Sequence, residues 1–167
     1  MKGAVDLILR WAVIAIFAIL VACVTWQVLS RYVFQTPSIL TDEIARFLFM
    51  WLALIGGAYT FGARRHLAID LLPIALKGRA RLALEWVILS IVAGFAAIVM
   101  VWGGWSLVSR TLSSGQVTPA LRLPMGWIYA AIPFAGIVIL YYCALFARDL
   151  GQGRLPEAEG DVSMPLE

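Results

Sequence analysis

Four stretches of this chain carry no charged side chain over lengths that match a lipid bilayer: residues 11–30, 47–63, 86–109 and 123–147. A hydrocarbon core about 30 Å thick is crossed by roughly 20 helical residues at about 1.5 Å of rise each. Lipid offers backbone N–H and C=O groups no water, so helices, which pair these groups internally, are the expected spanning form. The expected fold is therefore an all-α integral membrane protein with four transmembrane helices.

Once four spans are removed from 167 residues, of which 62% are hydrophobic and 14% charged, too little chain remains for a soluble domain. The membrane domain is expected over residues 1–150. Residues 151–167, rich in Gly, Pro and acidic side chains, read as a disordered cytoplasmic tail. Lys2 and Arg10 precede an apolar run that is too long for a signal peptide and lacks a small-residue cleavage pattern, which makes it an uncleaved span. Cys23 and Cys143 fall inside spans one and four, where they are expected to act as small hydrophobes without a disulfide.

An even number of spans puts both termini on one side. That side collects Lys2, Arg10, Arg64, Arg65, Lys77, Arg79, Arg81, Arg148 and Arg154, against Arg31, Arg46, Arg110 and Arg122 on the other. The imbalance favours cytoplasmic termini. It also accounts for the net charge of +3 without nucleic acid.

Between the spans, residues 64–82 mix Leu67, Ile69, Leu71 and Ile74 with Arg64, Arg65, His66, Asp70 and Lys77, the pattern of an amphipathic segment lying along the inner interface. His66 and Asp70 are one helical turn apart, so an imidazole–carboxylate contact with a structural role is expected there. On the outer side, Thr36 as N-cap and Pro37 at the first helical position predict a helical segment over 36–46 that is able to continue into span two. Asp42 and Arg46 have the spacing of a local pair. The other outer connection, residues 110–122, is polar and broken by Gly115 and Pro119, and reads as a loop.

The chemistry available is sparse. The single histidine lies outside the spans, so bis-histidine haem is excluded. No paired cysteines, no cluster of metal ligands at depth and no carboxylate occur in the uncharged stretches, and neither enzymatic activity nor a cofactor is expected. Glycines at 56, 57, 62, 94, 103, 104 and 136 invite close helix approach. Packing within this bundle is the expectation, with docking to another membrane subunit as the alternative. Pro133 is expected to bend span four.

Taken in order, the pieces are Arg31-Tyr-Val-Phe, Glu43-x-x-Arg46 with Trp51, Gly56-Gly57, His66-x-x-x-Asp70, and Pro119-Ala-Leu-x-x-Pro124-x-x-Trp127-x-Tyr129-x-x-x-Pro133. This string resembles the small permease subunit of tripartite ATP-independent periplasmic (TRAP) transporters, the DctQ-like family. The resemblance implies a multi-pass protein of the bacterial inner membrane, working in lipid beside a large elevator-type permease (M) subunit and a periplasmic substrate-binding protein. It further implies sodium-driven uptake of organic acids or sialic acid-like sugars, with this subunit as scaffold. On that reading, residues that could contact either partner are Arg31, Asp42, Glu43, Arg46, Trp51, Gln116, Pro119 and Arg122. Gly56, Gly57, His66, Asp70 and Pro133 would be structural. Two other readings are a standalone multidrug-type exporter and an anchoring subunit of a respiratory complex. The first lacks an acid near a span centre, and the second lacks redox ligands.

Overall fold

A computed structural model describes residues 2–36, 38–63 and 79–152. The expected interfacial segment with its His66–Asp70 contact, Pro37, and nearly all of the expected tail lie outside the described residues. Among the described residues, four helices are long and apolar enough to cross a membrane. The first is α1, Lys2–Tyr32, and the second is α2, Ile39–Gly62. The third runs through α3, Arg79–Phe95, a π-helical segment, Ala96–Gly103, and α4, Gly104–Ser113. The fourth is built from α5, Met125–Tyr129, and α6, Ala131–Gly151, with a step at Ala130.

The first helix overruns its uncharged stretch mainly at its N-terminal end, and the third overruns at both ends. A 31-residue α1 is about 46 Å long, against a core of about 30 Å. The overrun draws Asp6 and Arg10 into the first helix.

Helix α1 packs along α2, α2 along α6, and α6 along α3 and the π segment, whereas packing of similar extent between α1 and α3 is absent among the described residues. The spans therefore stand in a row, in the order one, two, four, three. Burial follows this order. The apolar window of span four is 39% buried, that of span two 17%, and those of spans one and three 6% each. Large side chains such as Phe17, Trp26, Ile91, Ile98 and Trp102 point outward, as lipid allows.

Glycine fixes the seams. At Gly136 a Cβ would sit 2.7 Å from the Met100 Cβ, and at Gly104 one would sit 2.9 Å from the Pro133 ring. These two close approaches hold spans three and four together across the π segment. At the end carrying the termini, Gly62 leaves room for the ring of Tyr142, which is fully buried. The Tyr142 hydroxyl donates to the Asp6 carboxylate, tying α1 to α6. Leu9, Ile55, Leu89, Cys143 and Phe146 close the apolar core around that ring.

Two expectations need correction. The N-cap of α2 is Ser38, not Thr36, and its hydroxyl makes no capping bond. Gln35 turns the chain in the left-handed region at φ 54°, so the Thr36 amide instead reaches back to the Ser30 carbonyl at 2.9 Å. That contact closes α1 rather than starting α2. Gly56 and Gly57, expected to pack inside the bundle, meet nothing within 4 Å at a built Cβ, because the buried side of α2 is carried by Ala45, Ile55, Ala58 and Gly62.

This contrast gives a paired test. Gly136→Val overpacks a closed seam and is expected to lower the stability of the purified chain by about 1–3 kcal/mol in a detergent unfolding titration. Gly57→Val, which enters open space, is expected to stay within about 0.5 kcal/mol.

Candidate functional site

The polar features expected to carry function collect at the end opposite the termini. Span three stops at Ser113, where Gly115 takes φ 66°, and the chain folds into a tight hairpin with an antiparallel bridge between Val117 and Pro124. The sequence reads as a loop here, and from Thr118 to Leu123 every backbone amide in it finds an acceptor.

The Thr118 amide donates to the Leu123 carbonyl at 2.9 Å, and the Arg122 amide to the Thr118 carbonyl at 3.2 Å. The Leu123 amide donates to Thr118 Oγ1 at 3.1 Å. Pro119 has no amide to satisfy. Two N–H groups remain, those of Ala120 and Leu121, and the tight turn itself holds no acceptor for them.

Glu43 supplies that acceptor. Its Oε2 takes the Ala120 amide at 2.8 Å and the Leu121 amide at 3.1 Å, across a sequence separation of 77 and 78 residues. Glu43 is 8% exposed and Thr118 is fully buried, with the Thr118 side chain beside the carboxylate. A hydroxyl that accepts from Leu123 still has its own proton to offer. Bonds between a carboxylate and backbone amides are among the stronger hydrogen bonds, and those shielded from water are stronger still.

Glu43 was expected as a partner contact, and the sequence paired neither it nor Thr118 with the opposite loop. The available signal was the pair of motif pieces Glu43-x-x-Arg46 and Thr118-Pro-Ala-Leu121, which the fold brings together. Asp42, its neighbour, does form the expected local pair. Arg46 reaches its Oδ2 at 3.0 Å, with both side chains mostly exposed. Such a pair contributes about 0–1 kcal/mol.

The remaining expected residues divide into two groups. Gln116, Pro119 and Arg122 sit on the hairpin and are exposed, and Arg122 is held in the left-handed region at φ 51°. Arg31 is exposed at the C-terminal turn of α1, beside an open cleft of about 370 Å³ also lined by Gln27, Ser38 and Asp42. Gln27 closes this end of the α1–α2 pair by donating to the Thr41 carbonyl at 2.8 Å. Trp51 is not at this surface. It lies in the seam with span four, its ring 6.1 Å from that of Phe134. Pro133 occupies the first turn of α6, just past the step at Ala130.

Residues 20–151 match the family profile described as the DctQ component of tripartite ATP-independent periplasmic transporters. The chain belongs to the DctQ family. Among its relatives, a sialic acid TRAP transporter small permease protein, SiaQ of Vibrio cholerae, is 26% identical over 129 residues, covering 77% of this chain and 72% of that protein. A putative TRAP transporter small permease protein of Haemophilus influenzae is 29% identical over 126 residues, covering 75% and 76%. An isethionate TRAP transporter permease protein, DctMQ of Oleidesulfovibrio alaskensis, is 26% identical over 116 residues, and the match takes up only 18% of that longer protein. In this DctQ chain, the fold gives Glu43 on span two a defined job at the hairpin.

Replacing Glu43 with Ala leaves two amides without an acceptor, and the purified chain is expected to lose about 1–3 kcal/mol. Asp42→Ala is expected to cost less than about 1 kcal/mol in the same titration.

Proposed function

We propose that this chain is the small permease subunit of a sodium-driven, binding-protein-dependent TRAP transporter for organic acids, and that it serves as the fixed scaffold for a large elevator-type permease subunit. The observation that carries the reading is the DctQ match over residues 20–151, joined to the fact that a similar stretch of 116 residues occurs in DctMQ as part of a much longer permease. A domain found fused to a larger permease in one relative is a natural neighbour of one in another.

The membrane surface supports a partner in lipid. Along α2 an exposed stripe of Arg46, Phe49, Ala53, Gly57 and Thr60 faces away from the bundle. Its small residues allow a second helix to approach closely, where dispersion and weak polar contacts replace the hydrophobic effect. We assign this stripe to the large subunit. The hairpin end, with Gln116, Pro119 and Arg122 exposed, is assigned to the periplasm, where it meets the substrate-binding protein. Cytoplasmic termini follow from the excess of Lys and Arg at the other end.

The relatives act on different anions by name, sialic acid, isethionate and C4-dicarboxylate among them. Their shared feature is a small acidic solute, and that class is proposed here.

Reconstitution tests the reading. Vesicles holding this chain with its large subunit, supplied with the binding protein and an inward sodium gradient, are expected to accumulate the acid. Vesicles with this chain alone are expected to accumulate none, and uptake by the chain alone would reject the scaffold role. Gly57→Val is expected to reduce co-purification of the large subunit at least about tenfold, corresponding to roughly 1.4 kcal/mol, while leaving the isolated chain folded.

A further inference from the structure

We propose that the hairpin ends of spans three and four form a cap hinged at the π segment and Pro133, and that Glu43 is the positioning residue that latches this cap to span two. Three separate observations converge on it.

The first is that the cap is a unit. Helix α4, the hairpin and α5 pack on one another, with Gly126 closed against the Leu112 side chain. The Met125 amide returns to the Gln116 carbonyl at 3.0 Å, stitching the base of the hairpin to the start of α5.

The second is that regular α-helix is interrupted in both connecting spans where they meet. Span three passes through eight residues of π-helix, Ala96–Gly103, immediately below α4. Span four steps at Ala130 immediately below α5, and Pro133 follows. The two interruptions lie against each other, since Gly104 abuts Pro133 and Gly136 abuts Met100. A π segment and a proline each weaken the i to i+4 ladder that stiffens a helix. Their coincidence leaves the cap joined to the lower bundle through two weakened rods at one height.

The third is the latch. Among the described residues, the hydrogen bonds from the cap to α2 converge on one carboxylate oxygen, the Glu43 Oε2 that accepts from Ala120 and Leu121. The acceptor is on one side of the hinge and both donors are on the other. With Glu43 in place, the exposed Gln116 and Arg122 are presented in a fixed orientation relative to α1 and α2. Without it, no hydrogen bond among those described ties the cap to α2, and the two weakened rods are left to carry more of that orientation. The inference concerns the chain itself and does not depend on which partner meets the hairpin.

The test measures a distance within the full chain in lipid nanodiscs. Spin labels are attached through Leu40→Cys on α2 and Ser114→Cys on the hairpin, in a Cys23→Ala/Cys143→Ala background. Glu43→Ala is expected to widen the distance distribution about twofold, and Glu43→Gln, which keeps an acceptor oxygen, to widen it less. Adding Pro133→Ala to Glu43→Ala restores an amide to the ladder and is expected to narrow the distribution again. A Glu43→Ala distribution as narrow as that of the parent removes the latch, and a Glu43→Ala/Pro133→Ala distribution as wide as that of Glu43→Ala alone removes the hinge. Hydrogen exchange on the unsubstituted chain supplies a reading that needs no variant. The amides of residues 118–123 are expected to exchange together and ahead of those in α2. Exchange of the hairpin amides no faster than those of α2 would overturn the proposal.

Discussion

A backbone amide at or near a bilayer has few partners besides the chain that carries it, and this scarcity organises the molecule. Through the spans the helix ladder meets the demand internally. At the hairpin end the chain must reverse within a few residues, and no helix can do that. The reversal is solved by a proline that has no amide, a threonine that serves as acceptor, and a carboxylate brought in from span two. Glu43 is thus an acid whose charge is consumed in folding, while its neighbour Asp42 pairs with Arg46 in the open. Adjacent acids on one helix end up with unrelated duties because one faces the hairpin and the other does not.

The row arrangement explains how so small a protein can present so much surface. A closed four-helix bundle hides a face of every helix, whereas a row hides mainly the middle. Span four is enclosed, and spans one and three expose most of their apolar side chains. Glycines divide along the same line. Those at 62, 104 and 136 close internal seams, and those at 56 and 57 look outward from span two. The first set shapes the chain itself, and the second leaves a smooth strip on its exterior.

Much of this could be read from residues alone. Uncharged runs identify four helices because the bilayer imposes both a length and a composition. The Asp42–Arg46 pair follows from helical spacing, and the break near Pro133 from the missing amide. What eluded the sequence depends on tertiary placement. Glu43 and Ala120 are 77 residues apart, and no local rule joins them. The π segment has ordinary apolar composition, and only the fold shows that it lies at the close seam with Gly136 and Pro133. Thr36 satisfied a capping pattern, yet the left-handed Gln35 diverted its amide to α1. Asp6 lay outside the uncharged stretch, and its bond to Tyr142 forms only because Gly62 leaves space for that ring.

The contact between Asp6 and Tyr142 also bears on assembly, because it joins the first span to the fourth. Until the fourth helix enters the bilayer, the Asp6 carboxylate has no Tyr142 hydroxyl to accept from. The bond therefore belongs to the completed set of four helices and to no smaller part of it.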